Sequence, residues 1–108
     1  MEKIDFSQNW NNKLDNDVFT TIRKAKNDKY YSRLLGSEFA IMLNSNFKNN
    51  RILYSCHYYS KLHDIPAPLL MLDTGANTIM EAITIFRRFG ISMDDEVILL
   101  TFIKKKEV

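Results

Sequence analysis

Cysteine is nearly missing from this chain of 108 residues, where Cys56 stands alone. A single thiol excludes an intramolecular disulfide framework and any zinc site built on paired cysteines. It fits a reducing compartment, so a cytoplasmic location is the expectation. Long apolar runs are missing too, and no segment approaches the ~20 residues that a membrane-spanning helix needs. The first residues carry Glu2 and Asp5 and no apolar stretch, so no signal peptide is expected. An excess of one charge is also lacking, since the formal net charge is +2. That is too little for a generic polyanion binder. Lys24, Lys26, Lys29 and Arg33 still cluster in sequence and form a candidate local basic surface.

Glycine and proline are scarce, with three of one and two of the other, and no repeat or low-complexity linker interrupts the chain. One soluble globular domain spanning 1–108 is therefore expected, large enough for a single core. The few punctuating residues are informative. Gly36 precedes EFAIML, where it suits a turn entering a strand. Gly75 separates LLMLDT from NTIMEAITIF as a break between two helices. Gly90 has the position of a residue just past a helix C-terminus.

The helix expected from Thr78 to Phe89 has capping-box spacing at Thr78 and Glu81. Ile79, Ala82, Ile83, Phe86 and Phe89 recur at helical spacing as one buried stripe. Arg87 and Arg88 complement the dipole at its end. PAPLLML predicts a short helix with proline in its first turn. Asn9 to Asn16 predicts another, burying Trp10 and Leu14. EFAIML and RILYSCHYY read as strands joined through NSNFKNN in a hairpin or short meander. EVILLTFIK is apolar on both faces, as a strand covered on both sides would be. FTTIR completes the strands. Strands on either side of a helical pair, without βαβ alternation, predict an α+β fold: a small mixed sheet curled into a barrel, with two or three helices packed against it.

On a strand, alternation places Val18, Thr20 and Ile22 on one face and Phe19, Thr21 and Arg23 on the other. The first set reads as core. The second aligns a ring, a hydroxyl and a guanidinium. Arginine at a strand end can take a phosphate or carboxylate in bidentate fashion. A threonine hydroxyl can orient a polar ligand or, beside a base, act as a nucleophile. Threonine also favours strands in general, and a terminal arginine often pairs with a surface acid, so the stretch equally fits an ordinary strand.

The order DFSQNWNNKL, FTTIR, LLGSEFAIML, LDTG, EAITIFRRFG and EVILLTFIK resembles the ASCH domain family of PUA-like β-barrels over nearly the whole chain. The resemblance implies RNA or nucleotide binding. It also implies a relation to small members that look like amidohydrolases acting on acetylated cytidine through a lysine, a threonine and a glutamate. Thr21 matches the threonine of that set, and Asp73 falls near its acidic position. Val18 stands where the lysine would be, three residues before Thr21. Valine offers neither base nor charge, so the resemblance implies a binding module with Thr21, Arg23, Lys24, Lys26 and Asp73 as ligand contacts. The alternatives are a hydrolase with Thr21 as nucleophile and Asp73 as acid/base, and a protein-interaction domain. Lys13 and Lys24 are other amines in this part of the chain, and nothing in their spacing directs either to Thr21. No cofactor is implied.

The remaining candidates have plainer readings. Cys56 and His57 are adjacent and would point to opposite faces, so Cys56 reads as a structural thiol. His57, His63, Asp64 and Asp73 fit no compact metal spacing. Tyr30, Tyr31, Tyr54, Tyr58 and Tyr59 suit either core edges or base stacking. DDE at 94–96 reads as a solvated turn and KKK at 104–106 as a solvated tail.

Overall fold

β5 (Val97–Ile103) organises the chain, and the computed structural model around it describes residues 1–105, with every side chain among them except those of Asn27 and Asp28. Ile98, Leu100 and Phe102 of β5 enter one hydrophobic cluster, Val97 and Leu99 another. A strand apolar on both faces demands cover on both. β4 (Asn46–Tyr59) and β2 (Val18–Lys24) flank it, each antiparallel. β3 (Glu38–Leu43) pairs antiparallel with β4, and β1 (Glu2–Phe6) adds to β3 in parallel. The order β1-β3-β4-β5-β2 is a five-stranded mixed sheet, and the architecture is α+β.

The expected barrel is not closed. β1 and β2 are the two edges, and no backbone ladder joins them among the described residues. The sheet is nevertheless strongly curled. Four strand spacings would hold flat edges about 19 Å apart, yet the Phe6 and Phe19 rings meet edge-to-face at 5.9 Å. Phe19 stacks on Phe102 at 5.5 Å, and Phe102 meets Phe39 at 5.4 Å. This aromatic row fills the inside of the curl and draws the edges together.

α2 (Ala67–Thr74) and α3 (Ile79–Arg88) cover the other face, with Leu70, Ala82 and Phe86 packed in the cluster of Ile22, Val97 and Leu99. α3 starts where its sequence dictates. Thr78 Oγ1 accepts from the Glu81 N–H at 3.2 Å, and Glu81 Oε2 accepts from the Asn77 N–H at 3.1 Å. It ends in a Schellman motif: the Ile91 N–H reaches the Phe86 carbonyl and the Gly90 N–H the Arg87 carbonyl, both at 2.9 Å. Among the described residues no single helix is long and apolar enough to cross a membrane; α2 and α3 meet that test only as a pair, bent by 58°.

Several expectations are corrected. β1 was not anticipated, although Ile4 and Phe6 point inward and Lys3 and Asp5 outward in strand alternation. The helix expected at Asn9 to Asn16 is a kinked 3-10 segment, Trp10–Asp15, with Asn11 and Asn12 left-handed at φ 52° and 57°. Leu14 is buried there as expected, but Trp10 only partly. β4 begins before RILYSCHYY because Asn44 and Ser45, at φ 51° and 67°, make a two-residue hairpin turn and leave FKNN to the strand. A five-residue helix, α1 (Asp28–Ser32), carries Tyr31 onto Phe39, with rings stacked at 6.2 Å. Phe89, expected in the buried stripe of α3, caps that helix and is 47 % exposed.

Candidate functional site

The curl leaves a cleft of about 440 Å³ where the sheet edges approach each other. β2 contributes Thr21, Arg23 and Lys24, the chain leaving it contributes Lys26, and the last turn of α2 contributes Asp73. The structure thus brings all five residues singled out from the sequence around one cleft. The faces of β2 are labelled differently from the expectation, however. Phe19 belongs to the core rather than to the cleft wall. Val18, expected in the core, is 56 % exposed, because β2 begins at the margin of the sheet opposite Ile103, the end of β5. Thr20 turns to Asp73.

The centre of the site is a buried ion pair that the sequence did not indicate. Lys13, from the 3-10 segment, donates through Nζ to the Asp73 main-chain carbonyl at 3.0 Å and to Asp73 Oδ1 at 3.3 Å. Thr20 Oγ1 donates to the same Oδ1 at 2.7 Å. Both bonds to the carboxylate fall on Oδ1, and among the described residues no side chain bonds Oδ2. Burial pushes the Asp73 carboxyl above the usual carboxylate range, and Lys13 and the Thr20 hydroxyl pull it only part of the way back. Burial pushes the Lys13 amine below its ordinary value, against the attraction of Asp73. In both groups burial works against the charged form, and the contact between them works for it.

Arg23 ties the edges of the sheet together. Its Nε donates to Thr21 Oγ1 at 3.2 Å, and its Nη2 donates to the Asp5 carbonyl on β1 at 2.9 Å. The guanidinium lies 4.7 Å from the centre of the Phe6 ring, close enough for a cation–π contact. Burial lowers its pKa, but a guanidinium stays charged. These bonds use two of its five N–H donors, and no further hydrogen bond from Arg23 occurs among the described residues. Thr21 accepts from Arg23, so its own hydroxyl proton remains available. Lys24 stands at the margin, 3.8 Å from Asp95. The other end of the cleft is apolar, with Trp10, Phe86, Phe89 and Ile91.

Lys13, Thr20, Trp10 and Phe89 were missed as site residues. Only Phe89 had a readable signal, being a large apolar residue next to a helix-ending glycine. Cys56 is half-buried against the first cluster, and His57 is exposed. Tyr31 and Tyr59 pack in the clusters, whereas Tyr30, Tyr54 and Tyr58 are exposed, and none of the five lines the cleft. Among the described residues no three His, Cys, Asp or Glu side chains are grouped to hold a metal ion. Asp95 shapes its turn by accepting from the Ser92 N–H at 2.8 Å. Lys105 lies 3.6 Å from Glu38, and Lys106 lies outside the described residues. Compared with known proteins, the chain matches no family model, no curated protein and no solved structure.

Proposed function

We propose that the chain is a nucleotide- or RNA-binding module of the ASCH, PUA-like type, holding one nucleotide unit in the cleft. The observation that carries this reading is the convergence of Thr21 and Arg23 with Asp73 from a distant helix. The volume, about 440 Å³, lies within the range of small-ligand sites. The Arg23 guanidinium, with Lys24 and Lys26, suits a phosphate. The Thr21 hydroxyl and Asp73 Oδ2 suit the polar edge of a base. In this reading the curled sheet is a PUA-like barrel whose β1–β2 seam is made by side chains, and the module works in the cytoplasm. Calorimetric titration with cytidine monophosphate and with a short single-stranded RNA tests it. Binding should weaken as salt is raised and fall at least tenfold in Arg23→Ala. No binding at low salt, or an unchanged Arg23→Ala, rejects the reading.

A second reading, hydrolysis of an acylated cytidine, is favoured by Lys13. Val18 lacks an amine, but Lys13 brings one to Asp73 from the 3-10 segment. As the neutral amine it would take the Thr21 hydroxyl proton while Oγ1 attacks the acyl carbon. The ammonium would then return that proton to the departing amine, and water would release the acyl group from Thr21. The threonine bonded to Asp73 is Thr20, so Thr20→Ala belongs beside Thr21→Ala in the assay. Turnover of acetylated cytidine that survives both variants, or no turnover at all, rejects this chemistry.

A further inference from the structure

The apolar end of the cleft deepens the nucleotide-binding reading and rests on it. Trp10 and Phe89 meet edge-to-face, with ring centres 6.1 Å apart and planes at 87°. Both line the cleft. The backbone beside Trp10 is held by unusual constraints. Asn11 and Asn12 adopt left-handed conformations directly after it, a region asparagine enters more readily than other side-chain-bearing residues. Asn9 clamps the turn, its Oδ1 accepting from the Leu14 N–H at 2.9 Å and its carbonyl from the Asn12 N–H at 3.1 Å. Asn11 is seated so closely on Gly75 that a Cβ there would stand 2.9 Å from its own. This turn does not bury Trp10, which stays partly exposed. It carries the indole to the cleft wall, where its ring stands at right angles to that of Phe89.

We propose that Trp10 and Phe89 form an aromatic corner that selects ligands with a flat heteroaromatic ring, whose polar edge faces Thr21 and Asp73 and whose anionic group reaches Arg23. A flat ring can stack on one member of a perpendicular pair while meeting the edge of the other. Sequence-tolerant stacking of this kind is how aromatic side chains hold single bases.

Trp10 is the chain's one tryptophan, so indole emission reports on this corner alone. The test is parallel calorimetry and fluorescence on the intact protein, with cytidine monophosphate and with ribose 5-phosphate, which has no base. Cytidine monophosphate should bind and quench the emission saturably. Ribose 5-phosphate should bind at least tenfold more weakly and leave the emission unchanged. Phe89→Ala, at a half-exposed position, and Trp10→Leu should each lower affinity for cytidine monophosphate about tenfold and leave ribose 5-phosphate unaffected, in keeping with the usual strength of base stacking. Trp10→Phe should retain most of the affinity. Equal binding of the two ligands, or an unchanged preference in Phe89→Ala, overturns the aromatic corner and leaves the binding site standing. If neither ligand binds by calorimetry, the nucleotide reading itself fails, and the corner falls with it.

Discussion

Replacing Lys13 alone should cost more stability than replacing Lys13 and Asp73 together. Lys13 Nζ stands 3.3 Å from Asp73 Oδ1, and both side chains are nearly shut off from solvent. At that separation an effective dielectric of about 20 gives an attraction of about 5 kcal/mol, opposed by the desolvation of both groups. Lys13→Met keeps the aliphatic stem and removes only the charge. Asp73 would then be a buried carboxylate held by the Thr20 hydroxyl alone. Orphaning one member of a buried pair costs about 3–5 kcal/mol. The lower end applies here, because Asp73 borders an open cleft and its raised pKa lets it take up a proton. The double variant Lys13→Met/Asp73→Asn keeps an oxygen to accept from Thr20 and leaves no charge behind, so it should lose less than about 1 kcal/mol. Urea denaturation measures both, provided the slope m stays constant. A loss of about 3 kcal/mol corresponds to roughly 12–24 °C in the melting temperature of a domain this size. A single variant within 1 kcal/mol of wild type, or a double variant equal to the sum of its singles, would refute the coupling.

Gly75→Ala should be worse than Gly36→Ala, although both glycines have positive φ. The first meets Asn11 at 2.9 Å while the second meets nothing within 4 Å, so thermal melts should show about 1–2 kcal/mol at Gly36 and clearly more at Gly75. Thr78→Ala removes the acceptor for the Glu81 N–H and should cost about 1 kcal/mol by urea denaturation, with Thr78→Ser near wild type. Asp73 gives a pH dependence whose sign is fixed. Its folded pKa is raised above the ordinary 3.8, so its contribution is fully present below that value and is lost as pH rises through the folded one. The urea midpoint of wild type relative to Asp73→Asn should therefore fall from acid toward neutral pH, and a rise would contradict the assigned burial. Arg23→Lys keeps the charge but lacks the planar fork that reaches Thr21 and the Asp5 carbonyl at once, so it should bind cytidine monophosphate nearly as poorly as Arg23→Ala.

The parts of this fold that were legible are those whose signals are local. α3 has its cap, its period and its terminal glycine in one short window. β5 declares its burial by continuous apolarity, since Val97–Leu100 must be covered on both faces wherever the strand lies. The 3-10 segment was misread because Trp10 and Leu14 at helical spacing say nothing of the left-handed turn between them, which depends on Asn9 and on contact with Gly75. The site was legible to the same degree. Thr21 and Arg23 share a strand face, and with Lys24, Lys26 and Asp73 they do reach one cleft. A lysine for Thr21 was sought three residues before it, where Val18 stands; the amine that the fold brings to the cleft is Lys13, and it is bonded to Asp73. Chain spacing cannot show that kind of approach, because it depends on how β1 and β2 are drawn together by Phe6, Phe19 and Arg23.

The central claim is that the cleft at the β1–β2 seam is where a nucleotide binds. Backbone amide shifts in a ¹H–¹⁵N spectrum, followed while cytidine monophosphate is added, test it most directly. The largest changes should fall on Ser7 to Lys13, Thr21 to Lys26, Asp73 to Thr74 and Phe86 to Ile91, the four stretches that meet at the cleft. Changes centred instead on the exposed Phe47, Tyr54 and Tyr58 of β4, or no saturable change anywhere, would contradict it.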